Sequence, residues 1–260
     1  MKDLMSRPGK YLTILTVIVT AFLFLNFLPI DRPFPRAIAA RLITTPSRTV
    51  AANPVSALSP ADSPRLNLLY DSLQLDSLGL STQAYHKAIA GFLNLVATGV
   101  VPNPGILSII DFSLPSTQKR LFILDTYSGK LLFNSLVAHG RNSGTLIATR
   151  FSNRRNSFMS SLGFYLTGEP FIGQHGYSLR LEGIEKGWND NVFNRSIIMH
   201  PAEYVSEDHI RQWGFLGRSE GCPAIPQQLD RPIIDVIRGG SCLFVYSPDK
   251  KYLHHSKLAS

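Results

Sequence analysis

The spacing of apolar side chains changes character several times along the chain. Tyr11 to Ile30 is a stretch of twenty positions without a charge, its polar side chains being Thr13, Thr16, Thr20 and Asn26, and it follows Lys2, Arg7 and Lys10. At about 1.5 Å per residue, a helix of that length spans a hydrocarbon core of roughly 30 Å. Residues 1–30 are therefore expected to be a membrane anchor or an export signal. The length favours an uncleaved anchor, while Ala37-Ile38-Ala39 offers a small-x-small cleavage site. The positive flank favours the cytoplasmic side and sends the rest of the chain outward.

Residues 31–63 lose all periodicity and are rich in Pro, Ala, Ser and Thr, the composition of a linker. Helical spacing takes over across 64–105. Leu66, Leu69 and Leu73 share a face, and Ser81 is placed to cap a helix carrying Ala84, Ala88, Phe92, Leu95 and Val96, until Gly99 and Pro102 stop it. From Ile106 the period falls to two. Leu121–Asp125, a turn around Gly129, and Leu131–Val137 read as a hairpin. Ser161–Thr167, Tyr177–Glu182, Ser196–Met199 and Ser241–Tyr246 read as further strands, with helices at Ser206–Trp213 and Pro226–Ile237. The pattern predicts a mainly β domain over 106–248, preceded by a small helical subdomain and followed by a basic tail over 249–260.

Composition narrows the function classes. Only 17% of the 260 residues are charged, against about 25% in an average soluble domain. The chain is too apolar to be disordered throughout, and two Cys cannot staple a small disulfide scaffold. The formal net charge of +8 contains no run of five basic residues, so no nucleic-acid arm is expected. Residues 1–40 hold five of the 26 Lys+Arg and two of the 18 Asp+Glu, leaving 21 and 16 in the remainder. That remainder is only mildly basic, which suits work near anionic envelope polymers.

Candidate chemistry concentrates late in the chain. Ile197-Ile198-Met199-His200-Pro201 is an apolar strand delivering a His at its end, and Gly217-Arg218-Ser219-Glu220-Gly221-Cys222-Pro223 is a Gly-flanked turn presenting a Cys. An imidazole near its ordinary pKa can take a thiol proton, and the thiolate can attack a carbonyl. Gly221 lets the backbone bend so that neighbouring N–H groups face an oxyanion, and Ser219 or a nearby carbonyl is placed to orient the imidazole. The plainer alternatives stay open: Cys222 as a small buried hydrophobe, or bridged to Cys242, which itself lies in an apolar strand. A zinc site from His139, His175, His200 and Cys222 lacks any local ligand spacing.

The stretch from His200 to Cys222 resembles the His … Ser-x-Gly-Cys signature of the L,D-transpeptidase catalytic domain (YkuD-like) family. Leu136-Val137-Ala138-His139-Gly140-Arg141-Asn142-Ser143-Gly144, Phe151-Ser152-Asn153, Ser160-Ser161-Leu162-Gly163 and Ser219-Glu220-Gly221-Cys222-Pro223-Ala224 resemble its divergent murein L,D-transpeptidase subgroup. The resemblance implies a β-sandwich-like domain, peptidoglycan stem peptides as substrate, and Cys222 as nucleophile with His200 as base. It implies no metal or organic cofactor. Where most members carry His between Ser and Gly, and Arg two places after the Cys, this chain has Glu220 and Ala224. Arg218 is then the candidate cation for a substrate carboxylate, and His139, His175 and Asn153 are candidates to line the substrate cleft. An L,D-carboxypeptidase or other envelope cysteine hydrolase, and a catalytically silent peptidoglycan-binding module, are the alternatives. The partners expected are stem peptides and, through residues 1–30, the inner membrane, with no nucleic acid; the oligomeric state does not follow.

Overall fold

A computed structural model describes residues 58–260. The expected anchor or signal over 1–30, and the linker as far as Ala57, lie outside the described residues. Among the described residues, no helix is long and apolar enough to cross a membrane. The end of the expected linker is folded. Leu58 is buried, and the Ser59 N–H donates to the Asp62 carboxylate at 2.9 Å around a 3-10 turn at Pro60–Asp62.

Helix α1 (Ser63–Ser72) and helix α2 (Thr82–Ala97) follow. Ser81 caps α2 as its sequence position suggested, its hydroxyl accepting from the Ala84 N–H at 3.4 Å. The Ser81 N–H donates to Asp111 at 2.9 Å, which ties the cap to the first strand of the sheet. The buried face of α2 carries Ala84, Ala88, Gly91, Phe92 and Leu95. Gly91 is required there: a Cβ would come within 2.2 Å of the Phe164 ring and 2.9 Å of the Leu258 carbonyl. A mid-helix glycine costs about 1 kcal/mol relative to alanine, and the close packing of helix on sheet offsets it.

Eight strands form one mixed sheet: β1 (Ile106–Asp111), β2 (Leu121–Asp125), β3 (Lys130–Ser135), β4 (Gly163–Gly173), β5 (Gly176–Gly183), β6 (Ile198–Ala202), β7 (Ala224–Pro226) and β8 (Cys242–Tyr246). Their order is β3-β2-β1-β8-β4-β5-β6-β7, with β1–β8 and β6–β7 parallel and the other pairs antiparallel. The central strands β1 and β8 are buried almost throughout, so they read as apolar runs rather than as alternation. Phe164 and Phe244 stack across β4 and β8 with ring centroids 4.2 Å apart. Strand β4 continues past Thr167, where the expected strand stops. A register shift between Thr167 and Pro170 absorbs the missing proline N–H, so the strand bends instead of ending.

The two ends of this sheet converge. Ala138, just beyond β3, donates its N–H to Ala224 of β7 at 2.8 Å, while Ala224 also pairs with His200 of β6. The result is a mainly β, barrel- or sandwich-like layer with helices α3 (Glu207–Trp213) and α4 (Asp230–Ile237) in its connections. Leu66 and Tyr70 of α1 and Phe92 of α2 share one apolar core with the central strands. Residues 249–260 are not a loose tail: they form helix α5 (Lys250–His255), with Tyr252 and Ala259 fully buried. The Tyr252 hydroxyl donates to Glu185 at 2.8 Å and the Ser256 hydroxyl to the same carboxylate at 2.5 Å. His254 and His255 face outward.

Candidate active site

The parallel pairing of β6 with β7 sets His200 opposite Ala224, which puts the turn bearing Cys222 beside the strand bearing His200. His200 is 3% exposed. Its Nδ1–H donates to the Pro201 carbonyl at 2.9 Å, fixing the tautomer that leaves the Nε2 lone pair uncommitted. That orienting group is a backbone carbonyl and not the Ser219 hydroxyl. Burial pulls the His200 pKa below its ordinary value, and His175 adds to the effect. His175, in the β4–β5 turn, is exposed and stacks on His200 with ring centroids 4.3 Å apart.

Cys222 is half-buried and, like Cys242, a free thiol. Its Sγ–H donates to the Ser196 carbonyl at 3.7 Å rather than to the imidazole. Hydrogen bonds of catalytic groups are often long without substrate and tighten in the complex. Burial raises the thiol pKa, while the backbone N–H groups of Ile198 and Cys222 and the charge of Arg195 oppose it, and Glu220 works the other way. Burial raises the fully enclosed Cys242 thiol much further, which marks it as packing.

Hydrogen bonds hold the Cys222 turn tightly. The Ser219 hydroxyl accepts from the Gly221 N–H at 3.0 Å and donates to the Cys222 carbonyl at 2.6 Å, so it closes the turn. The Gly221 N–H is therefore spent within the turn. Gly221 has φ +128°, and a Cβ there would come within 2.7 Å of the Met159 carbonyl, so only glycine fits. Two serines that motif reading left without a role support it from behind. The Ser160 hydroxyl donates to the Gly221 carbonyl at 3.2 Å and accepts from the Gly140 N–H at 3.0 Å, and the Ser160 N–H donates to the Ser143 hydroxyl at 2.9 Å.

The four expected substrate-binding residues are not brought together. Only His175 lies against His200. His139 is fully buried: its Nδ1 accepts from the Arg120 guanidinium at 2.7 Å, and its Nε2–H donates to the Gly144 carbonyl at 3.2 Å, so no ring nitrogen is open to substrate. Burial and the Arg120 charge lower its pKa to about 4. Asn153 is a clip between loops, donating to Asp190 at 2.7 Å and accepting from the Asn191 N–H at 3.2 Å. Arg218 turns to the 141–145 loop, donating to the carbonyls of Arg141 and Gly144 at 3.3 Å each. Glu220 pairs with Arg141 at 3.4 Å on the surface. Arg195, which no local sequence motif singles out, sits beside the Cys222 turn.

Residues 76–246 match the family model described as the L,D-transpeptidase catalytic domain. No curated protein matches the chain. Among solved structures, an L,D-transpeptidase from Mycobacterium smegmatis is 12% identical over 55% of this chain and 59% of its own, with a TM-score of 0.34. The helical cell shape determining protein Pgp2 from Campylobacter jejuni is 12% identical over 56% of this chain and 48% of its own, with a TM-score of 0.37. An L,D-transpeptidase from Xylanimonas cellulosilytica is 15% identical over 73% of this chain and 95% of its own, with a TM-score of 0.31.

Proposed function

The chain belongs to the L,D-transpeptidase catalytic domain family, and from that premise we propose that it is a cysteine acyl-transfer enzyme acting on peptidoglycan stem peptides. His200 Nε2 takes the Cys222 proton as the sulfur attacks the carbonyl of a diamino acid at its link to a terminal D-residue. The oxyanion faces the Cys222 N–H, the D-residue amine leaves with the proton held by His200, and a thioester remains. The amine of a neighbouring stem then attacks the thioester, restoring the thiol and forming a cross-link; water in its place gives carboxypeptidase products.

The observation that carries this reading is the His200 imidazole, held by Pro201 with Nε2 uncommitted, on the strand beside a thiol in a glycine-shaped turn. Burial lowers the pKa of one partner and raises that of the other, so the resting pair is neutral at neutral pH. Proton transfer therefore accompanies attack, the role of a general base. His175, stacked over the imidazole, is the residue placed to meet substrate. Residues 1–30 as export signal or anchor, a linker from 31 to the folded turn that begins at Leu58, and 64–105 as a subdomain ahead of the 106–248 catalytic unit complete the proposal, with the cell envelope as the site of action.

The test is product analysis by mass spectrometry, with the purified full chain, a disaccharide-tetrapeptide donor and an amine-bearing acceptor stem. Wild type is expected to give cross-linked or trimmed product, and Cys222→Ala neither. Unchanged product from Cys222→Ala sinks the proposal. Retention of peptidoglycan with no product, and with Cys222 no more reactive than Cys242, identifies a silent binding module instead.

A further inference from the structure

We propose that Arg195 is the positioning residue of the nucleophile, bracing the Cys222 turn with its guanidinium and supplying the fixed positive charge that the motif lacks after the cysteine. The residues following Cys222 are Pro223, Ala224 and Ile225, none of them charged. Arg195 is half-buried and directly precedes Ser196, the residue whose carbonyl accepts the thiol hydrogen bond. Its Nη1 donates to the Ser152 carbonyl at 2.8 Å and to the Ser161 hydroxyl. Its Nη2 donates to the Met159 carbonyl at 2.5 Å and to the Ser157 hydroxyl at 3.3 Å. One side chain thus pins both ends of the 152–161 loop.

The same guanidinium forms part of the surface on which the turn rests. A Cβ on Gly221 would lie 3.0 Å from Arg195 Nη2 and 2.7 Å from the Met159 carbonyl that Nη2 holds. Backbone strain gathers around this contact. Of the four non-glycine residues with positive φ among the described residues, Asn156, Phe158 and Ser196 line one cleft with Arg195, Arg155, Asn194 and Glu220. A left-handed conformation is strained for a non-glycine residue and persists only where surrounding contacts over-determine it. The Arg195 bonds to Ser157 and Met159 fall on either side of Phe158 and supply that determination.

Other cations nearby do not fill the role. Arg141 pairs with Glu220 and stacks on Phe158, Arg218 is held by the 141–145 loop, and Arg155 is exposed. With four guanidinium hydrogen bonds already made inside the protein, Arg195 has no free fork for a substrate carboxylate. It acts through the thiol it flanks. The charged and titratable side chains that act on that thiol or respond to it are Arg195, Glu220 and Tyr204, while His200 lies on the strand paired beside its turn.

The test is the pH dependence of Cys222 alkylation by iodoacetamide in the full chain, mapped by mass spectrometry, with hydrogen exchange over 152–161 and 219–223 and a thermal melt. Arg195→Gln keeps an amide donor without charge, and Arg195→Lys keeps charge without the fork. The alkylation midpoint is expected to rise by about one pH unit in Arg195→Gln, a roughly tenfold loss of thiolate below it. In Arg195→Lys the midpoint stays near wild type, while both variants exchange faster in both segments. A folded Arg195→Gln with the wild-type midpoint, or unchanged exchange in both variants, overturns the proposal. If Arg195→Gln does not fold, Arg195→Lys decides: unchanged exchange over 152–161 and 219–223, or a midpoint raised by a full pH unit although the charge is kept, overturns the proposal. Iodoacetamide needs no peptidoglycan, so failure on stem peptides with these alkylation results rejects the substrate and not the role of Arg195.

Discussion

His139 and His200 invite direct comparison, because one lies just beyond β3 and the other within β6, each is almost wholly buried, and burial lowers the pKa of each. Around His139 everything is spoken for: Arg120 donates to one ring nitrogen, the Gly144 carbonyl accepts from the other, and the Phe112 ring lies edge-on at 5.8 Å. Around His200 only Nδ1 is committed, and the cover is an exposed histidine rather than core. Burial of a histidine therefore says little about catalysis. An oriented ring with one uncommitted nitrogen, on the strand beside a half-buried thiol, is the feature that separates the two sites.

The largest effect should come from exchanging their fates. His200→Gln is expected to lower acyl transfer by about 10²- to 10⁴-fold, the usual worth of a positioned general base, with little change in melting temperature. His139→Ala should do the reverse. It leaves the buried Arg120 short of an acceptor and opens a void, a destabilisation of roughly 2–4 kcal/mol, while turnover per folded molecule stays within about tenfold. Initial rates and thermal melts of both variants check this. A His139 variant that melts like wild type but has lost turnover would erase the distinction.

A smaller effect follows from the titration of His139. Its folded pKa of about 4 lies below the 6.5 of an unperturbed histidine, so between these values the unfolded chain binds the extra proton. Stability is then fully present above about pH 6.5 and is lost as pH falls toward 4, by an amount on the order of 2–3 kcal/mol. The lowered pKa of His200 adds in the same direction, and the raised pKa of buried Asp111 opposes both. Denaturant midpoints across pH 4–7 should fall on the acid side, and His139→Gln should flatten that slope; an equal slope in the variant assigns the acid sensitivity elsewhere.

The sequence carries this contrast only in part, for reasons specific to each residue. His200 and Cys222 are legible as positions because an apolar strand and a glycine-flanked turn are local patterns, and α2 is legible because Ser81 and the apolar spacing agree. Strand β7 is three residues long and ends in Pro226, too short to show a period. The roles of His139, Asn153 and Arg195 depend on partners far along the chain: Arg120 lies 19 residues from His139, and Ser152 lies 43 from Arg195. No spacing rule reaches across such gaps. The motif match of Asn153 and Ser160 is visible in sequence, but whether a motif residue touches substrate or holds a loop is decided by which atoms surround it.

His175 tests the contrast at its finest grain. It is the exposed group over the proposed base, and a positive charge on it disfavours a second charge on His200. Removing that repulsion moves the His200 titration up toward its ordinary value. Since the base works when neutral, the acid limb of the acyl-transfer profile should then move to higher pH in both His175→Phe and His175→Ala. His175→Phe keeps an aromatic ring to stack and should hold its plateau rate. His175→Ala opens the imidazole to water and loses a ring contact worth about 0.5–1.5 kcal/mol, so its plateau should fall by a few-fold. Profiles of both variants measured between pH 5 and 8 separate charge from cover; an acid limb that stays in place in both would show that His200 titrates independently of its neighbour.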